Sequence, residues 1–283
     1  MKKLLLFSSS SSLYGSERGL LNLIEALYNR HKLIAVVPAK GELIEKIKRY
    51  YPEVEIKKLP LPVLALSYSP FYYFNLAVLS LLVLIYFIPF ILNRKIDIIC
   101  TNNLLLPVSA LTAKIAKKKH IWFVREFFPY SLFNRILAGI VLKFSDEIIF
   151  QSYFIKKKIG ITNRGKVIYE PLIENRYKLY ERAAARKYFQ LPGDKIIISL
   201  ISRIHPNKGQ YEFIKKFTDY FYEDNDVILL LAGDISFSSL RNMLYKRKIL
   251  NFIRSAGNGK IIFKGFVAEI DKMISAVDIC VFP

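Results

Sequence analysis

Two cysteines, three histidines and one tryptophan are all that 283 residues hold of those types, and 23 acidic residues face 43 lysines and arginines. Cys100 and Cys280 stand far apart in apolar runs, which excludes a disulfide scaffold or a cysteine-rich metal site and fits a reducing compartment. His31, His120 and His205 show no ligand spacing, and the first two precede strand-like runs, where a structural role suffices. No nucleophile elbow and no Ser/His/Asp or Cys/His arrangement is visible. No signal peptide is expected at the start: behind Lys2 and Lys3 the apolar stretch Leu4–Phe7 is too short for its core, and a buried first strand explains it better.

What is present is grease and positive charge. The chain is 53% hydrophobic with a formal net charge of +20, which excludes disorder and leaves ample material for a core. An acidic partner follows, either nucleotide phosphates, nucleic acid or an anionic membrane surface. The charge is uneven, with 24 Lys/Arg against 10 Asp/Glu over residues 1–165 and 19 against 13 over residues 166–283. Lys117–Lys119 and Lys156–Lys158 read as solvated helix ends or loops. Neither belongs to a recognisable aromatic-interleaved binding module, so no nucleic-acid partner is expected.

A second absence is local. From Leu59 to Asn93 no side chain is charged, and 71–92 is almost purely apolar. As a helix those 22 residues would be about 33 Å long, enough to cross a hydrocarbon core of about 30 Å. Strand-like runs lie on both sides, however, and a crossing would split their sheet across the bilayer. Three placements stay open: an interfacial helix dipped into the cytoplasmic leaflet and flanked by Lys57, Lys58, Arg94 and Lys95, a buried core helix, or a true span.

Short β-branched or leucine-rich runs without polar alternation recur between amphipathic stretches, the mark of a parallel sheet buried on both faces. Strands are expected near Lys3–Phe7, Leu33–Val37, Val54–Ile56, Asp97–Cys100, Ile121–Val124, Glu147–Phe150 and Val167–Tyr169. A polar stretch follows, and alternation restarts at Ile196. The expected division is a first α/β domain over 1–172, a linker over 173–191 and a second α/β domain over 192–283, which stops at the end of a strand.

The sharpest local pattern is Ser202-Arg203-Ile204-His205-Pro206-Asn207-Lys208-Gly209, between a buried strand and an amphipathic helix. Two cations and the free amides of a helix N-terminus suit a diphosphate; a surface loop with ordinary cations is the bland alternative. Leu13-Tyr14-Gly15-Ser16-Glu17-Arg18-Gly19 is a second strand-to-helix loop, though neither a GxGxxG nor a Walker loop. Gly15 would let a ligand approach the backbone; the plain alternative is a tight turn with Ser16 as helix N-cap. Arg125-Glu126 follows a strand end, as a cleft pair or as a surface ion pair. Asp224-Asn225-Asp226 spells D-x-D but reads as a solvated turn.

Taken in order, these segments resemble glycosyltransferase family 4, retaining sugar-nucleotide transferases with two facing Rossmann-like domains, the GT-B fold. Tyr14-Gly15-Ser16-Glu17-Arg18 is similar to that family's first loop, with tyrosine for one glycine. Asp146–Ser152 resembles its last acceptor-domain strand, and Ser202–Phe217 its G-R-L-x-x-x-K-G segment. Ile228–Asp234 and Phe263–Pro283 resemble the strands leading to the second donor region, while Glu170-Pro171 departs from the usual Asn-Gly.

The resemblance implies an α/β protein of two facing Rossmann-like domains, the second incomplete. It implies that Arg203 and Lys208 bind the donor diphosphate, with Gly15 and Ser16 approaching it. Gly233, Gly265 and Phe266 would lie near the nucleotide, and Arg125 and Glu126 would face the acceptor. No metal or other cofactor is implied beyond the nucleotide-sugar substrate. The acceptor is expected to be lipid-linked or a glycan precursor, handled by a peripheral or monotopic protein on the cytoplasmic face of the cell membrane. The family's E-x7-E glutamates would fall after Pro283, so no catalytic residue is assigned, and this chain alone is expected to be nearly inactive. An inactive remnant that only binds membrane or nucleotide sugar is the alternative; a sugar-nucleotide epimerase would need catalytic acids not identifiable here.

Overall fold

The computed structural model describes residues 1–65, 69–128, 131–171, 178–235, 240–256 and 259–282. The chain divides into two units, Met1–Leu172 and Ile173–Pro283. In the first, helices and strands alternate: β1 (Lys3–Phe7), α1 (Gly15–Leu27), β2 (Lys32–Val37), α2 (Glu42–Tyr50), β3 (Glu55–Lys58), α3 (Pro70–Asn93), β4 (Ile98–Thr101), α4 (Pro107–Ile115), β5 (Lys119–Val124), α5 (Ser131–Phe144), β6 (Glu147–Phe150), α6 (Tyr153–Ile159) and β7 (Lys166–Val167). The strands form one parallel sheet in the order β3-β2-β1-β4-β5-β6-β7.

Alternate side chains of each strand feed two layers. Leu4, Leu6, Ala35 and Cys100 face α1 and α2. Leu5, Phe7, Ile99, Trp122, Val124 and Phe150 point the other way, onto α3, α4, α5 and α6 in turn. Strands before and after α3 therefore share one sheet, and the helix runs across it as a crossover, not as a membrane span.

Only one stripe of α3 is buried, Val83, Phe87 and Ile91, at i, i+4 and i+8. That excludes the reading of a wholly buried core helix. At 1.5 Å per residue, 24 residues extend about 36 Å, roughly twice the length of the strands beneath. Its first half, from Pro70 to Leu82, has no buried side chain. Phe71 is 70% exposed, and Phe74, Leu81, Leu82 and Ile85 are likewise open to solvent.

The second unit holds α7 (Arg182–Tyr188), β8 (Ile196–Ile201), α8 (Gln210–Tyr220), β9 (Val227–Ala232), α9 (Leu240–Ala256), β10 (Ile261–Gly265), α10 (Ile270–Ala276) and β11 (Ile279–Cys280). Its parallel sheet runs β10-β9-β8-β11. The stretch read from sequence as a linker thus contains a helix. Arg186 of α7 is buried and donates to Ala276 O (3.0 Å), Gly193 O (2.7 Å) and the Asp278 carboxylate (2.5 Å), stapling α7 into this unit. Residues 172–177, also within or beside the expected linker, lie outside the described residues.

His120 is the polar weak point of the first core. Its Nε2 meets Thr101 Oγ1 at 2.7 Å, and Thr101 Oγ1 meets Ser109 Oγ at 2.5 Å, all buried. Its Nδ1 has no hydrogen-bond partner among the described residues. Burial pulls its pKa down from 6.5 to about 4, with the Asp146 carboxylate opposing the shift. The folded state thus holds a neutral imidazole that the unfolded chain would protonate. Stability contributed by this group is full above about pH 6.5 and is lost as pH falls to about 4, by about 3 kcal/mol. His120→Gln should flatten that difference: urea denaturation at pH 7 and pH 4.5 should show a smaller loss in the variant than in the parent.

Candidate functional site

Parallel pairing brings every strand of a sheet out at the same edge, and ligands of open α/β sheets bind outside those carboxyl ends where strand order reverses. In the first sheet the reversal lies between β1 and β4. Asn102 and Asn103 follow β4 there, and Arg125 and Glu126 follow β5. Arg125 does not pair with Glu126 as a surface couple. Its side chain is 6% exposed and turns inward, donating from Nε to Asn102 Oδ1 at 3.0 Å and pairing with the Glu170 carboxylate. Asn22 of α1 donates to the other Glu170 oxygen at 2.9 Å, and Asn102 donates to the Ser16 carbonyl at 2.8 Å. One buried cation therefore ties β4, β5, the segment after β7 and the start of α1 together.

Burial lowers the Arg125 pKa to about 10, so it stays cationic at neutral pH. Burial raises Glu17 and the partly buried Glu126 above the ordinary carboxylate range. Glu126 accepts the Leu104 N–H at 3.3 Å. Glu17 is 1% exposed and accepts from the Tyr14 N–H (3.2 Å) and the Ser16 hydroxyl (2.8 Å). It closes the first turn of α1. The helix starts at Gly15 with Tyr14 at the cap, so Ser16 lies inside the first turn and is not the N-cap.

Two residues of this cluster escaped the sequence reading. Glu170 was visible only as a departure from Asn-Gly, and Gly19 only as the last residue of the Leu13–Gly19 loop. A Cβ on Gly19 would sit 2.5 Å from the Arg125 Cζ and 2.8 Å from a Glu170 oxygen, so the ion pair lies directly on the helix backbone.

In the second sheet the reversal falls between β8 and β11. There the loop after β8 carries Arg203 and Lys208, both exposed, and among the described residues neither is spent on an ion pair. The loop is held from within. Ile204 is buried and its N–H donates to Asp234 O at 2.9 Å. Gln210, at the start of α8, donates to Ser202 Oγ (3.0 Å) and Arg203 O (2.8 Å). Pro206–Lys208 form a short 3-10 turn, with His205 Nδ1 accepting the Asn207 N–H at 3.2 Å.

Burial first, and then the charges of Arg203, Arg241 and Lys208, hold the His205 pKa below its ordinary value. Arg241 is thus a third cation in this neighbourhood. It stands in the first turn of α9, whose Lys246 bonds the Asp234 carboxylate at 2.6 Å, while Asp234 O receives Ile204. Nothing in the local sequence marks Arg241, which lies on the helix after another strand and is brought near by strand order alone.

Gly233 and Gly265 meet at the same edge: Gly233 N–H donates to Gly265 O at 2.6 Å. Gly233 has φ +136, and a Cβ there would collide with the Ser202 carbonyl, so only glycine fits. Phe266 projects into solvent, 77% exposed. Asp224-Asn225-Asp226 lies at the opposite, amino edge, where Asp224 accepts the Asp226 N–H at 2.9 Å and Asp226 pairs with Lys195 at 2.9 Å, a solvated turn. Among the described residues no group of three or more His, Cys, Asp or Glu could hold a metal ion. A surface hollow of about 350 Å³ lined by Lys3, His31, Glu53 and Arg94 is at the amino edge of the first sheet, away from the Arg125 cluster.

No protein-family model and no curated protein sequence matches the chain. Solved structures do. HepE of Anabaena in complex with UDP-glucose superposes with a TM-score of 0.78 at 18% identity, over 100% of this chain and 74% of that one. The chain has the GT-B fold. Sucrose-phosphate synthase of Thermosynechococcus elongatus matches with a TM-score of 0.71 at 16% identity, over 100% of this chain and 75% of that one. The lipopolysaccharide outer core galactosyltransferase WaaB in its apo form matches with a TM-score of 0.61 at 16% identity, over 100% and 74%. At such identities it is the GT-B fold that is shared, two successive Rossmann-like sheets, as the segment order implied.

Two glycines of α1 should behave oppositely. Gly19→Ala forces apart the buried Arg125–Glu170 pair and should cost about 3 kcal/mol in urea denaturation. A Cβ on Gly15 meets nothing within 4 Å, so Gly15→Ala should leave stability unchanged or raise it by up to about 1 kcal/mol.

Proposed function

We propose that this chain is a glycosyltransferase that moves a sugar, with retention, from a nucleoside-diphosphate donor to a lipid-linked or polysaccharide-precursor acceptor at the cytoplasmic face of the cell membrane. The observation that carries the reading is the loop Ser202–Gly209: two exposed cations, backed by Arg241, at the strand reversal of the second sheet. The same fold in HepE was solved with UDP and with UDP-glucose.

The chemistry follows from where charge develops. As the sugar–oxygen bond breaks, the departing nucleoside diphosphate gains negative charge, and fixed cations lower that barrier most when they need not move. The Arg203 guanidinium can bind two phosphate oxygens at once, and the Lys208 ammonium adds a compact charge. The anchored Ile204 and the Gln210 bonds hold the loop before ligand arrives. Gly15 and Ser16 are assigned to approach of the donor phosphates, and Gly233 and Gly265 to the nucleotide, with Phe266 offering a ring face to its base. On the acceptor side Glu126 and the Arg125 network shape the carboxyl edge of the first sheet.

The acceptor assignment rests on α3. Its most apolar 18 residues have a mean hydropathy of 2.5, and most of its surface faces outward. A helix of this kind lowers its free energy by lying in the interface of a bilayer. WaaB, with the same fold, acts at the lipopolysaccharide outer core.

Two measurements test the proposal. Arg203→Ala and Lys208→Ala should each weaken UDP binding by roughly 10- to 100-fold in calorimetry, since a hydrogen bond to a charged group is worth about 1.5–3 kcal/mol, and should leave uridine binding alone. Unchanged UDP affinity in both would overturn the donor site. Leu81→Glu/Ile85→Glu on the exposed side of α3 should move the protein from the membrane to the soluble fraction; unchanged membrane association would refute that role for the helix.

A further inference from the structure

Helix α5 has an inverted surface. Phe133, Leu137, Ala138 and Val141 face the sheet and are buried, as an amphipathic helix requires. The opposite side, which should be polar, is Leu132, Arg135, Ile136, Gly139 and Lys143, at the i, i+3, i+4 spacing of one helical face. Leu132 is 68% exposed and Ile136 52%. α5 lies on the same side of the sheet as α3, with only the short and mostly buried α4 between them. Next to α5, helix α6 exposes Tyr153 and Phe154 with Lys157 and Lys158. Across α3, α4, α5 and α6 there is no aspartate or glutamate, while Lys114, Arg135, Lys143, Lys156, Lys157 and Lys158 supply six cations.

We infer that the outer faces of α3 and α5 form one seat for an anionic lipid bilayer, with α5 as its second, cation-bearing half. The inference rests on the membrane reading above and extends it from one helix to a layer. Apolar side chains that stand outward among cations, with no acid on the whole helical layer, match the two terms of interfacial binding: burial of apolar area among the acyl chains and attraction to anionic headgroups. A water-facing layer would gain nothing from excluding every acid, and a protein partner would demand a shaped surface rather than a broad greasy one. The arrangement would lay the first sheet along the membrane. Its carboxyl edge, where α5 and α6 begin beside Arg125 and Glu126, would then stand at headgroup level.

The test uses the full chain and vesicle flotation, with phosphatidylcholine vesicles containing 30% phosphatidylglycerol set against pure phosphatidylcholine. Arg135→Gln/Lys143→Gln should reduce binding to the anionic vesicles roughly 25-fold, at about 1 kcal/mol per cation, and change binding to neutral vesicles little. Leu132→Gln/Ile136→Gln should weaken both by at least about 10-fold. All four positions are at the surface, and circular-dichroism melting confirms that each variant folds. If both α5 variants bind like the parent while Leu81→Glu/Ile85→Glu is released, α5 is no part of the seat and the single-helix reading stands. If all three bind like the parent, the membrane reading itself fails. If sedimentation shows that the α5 variants abolish a dimer with no change in vesicle binding, the face belongs to a second copy and the inference is overturned.

Discussion

Parallel strand pairing is the constraint from which the rest of this structure follows. A parallel neighbour cannot be reached by a hairpin, so every strand is followed by a crossover, and every crossover starts at the same edge. That edge collects residues far apart in sequence: Ser16, Asn102, Arg125 and Glu170 in the first unit, and Arg203, Gly233, Arg241 and Gly265 in the second. Reversal of strand order opens the edge at one point in each sheet, and both clusters lie at those points. The chemistry of the protein is thus placed by topology before any side chain contributes.

The two edges use cations in opposite ways. Arg125 is buried, and a buried charge is tolerated only when it is paired and hydrogen-bonded. Glu170, Asn102, Asn22 and the side-chain-free surface of Gly19 meet that demand, and the result is rigidity in the first sheet's loops. Arg203 and Lys208 are exposed, and the bonds that hold their loop come from Gln210, Ile204 and His205 instead. A cation whose position is held by others keeps its own donors for a ligand. Buried, internally satisfied Arg125 orders the loops of the first sheet; exposed Arg203 and Lys208, held in place by their neighbours, keep their donors free at the edge of the second.

Legibility in the sequence tracks the range of the interactions. Buried strands such as Lys3–Phe7 and Glu147–Phe150 declare themselves locally, because a strand covered on both faces is apolar throughout. The Arg203–Lys208 loop was equally visible, since strand, loop and helix follow within about fifteen residues. Helix α7 was hidden in a polar stretch because its anchor, Arg186, finds its partners at Gly193, Ala276 and Asp278. Glu170 and Arg241 were hidden for the same reason: each matters through a neighbour 36 or more residues away, reached only by strand order. The pairing of Arg125 was misjudged because adjacency in sequence suggested Glu126, whereas residues i and i+1 at a strand end point apart.

Helix α3 shows how a local signal can be strong and still ambiguous. Its composition fits a span, a core or an interface equally, and what separates them is the sheet. Val83, Phe87 and Ile91 hold its second half to that sheet, and burying three such side chains contributes on the order of 5–8 kcal/mol. The first half has no buried side chain and therefore no comparable hold, although it too carries no charge. An isolated helical segment of about a dozen residues is marginal in water. It would gain stability from an apolar surface laid against it, and in the proposed function a bilayer would supply one where the sheet ends. The same helix is thus a crossover over its second half, and over its first it presents the apolar surface on which the proposed membrane contact rests.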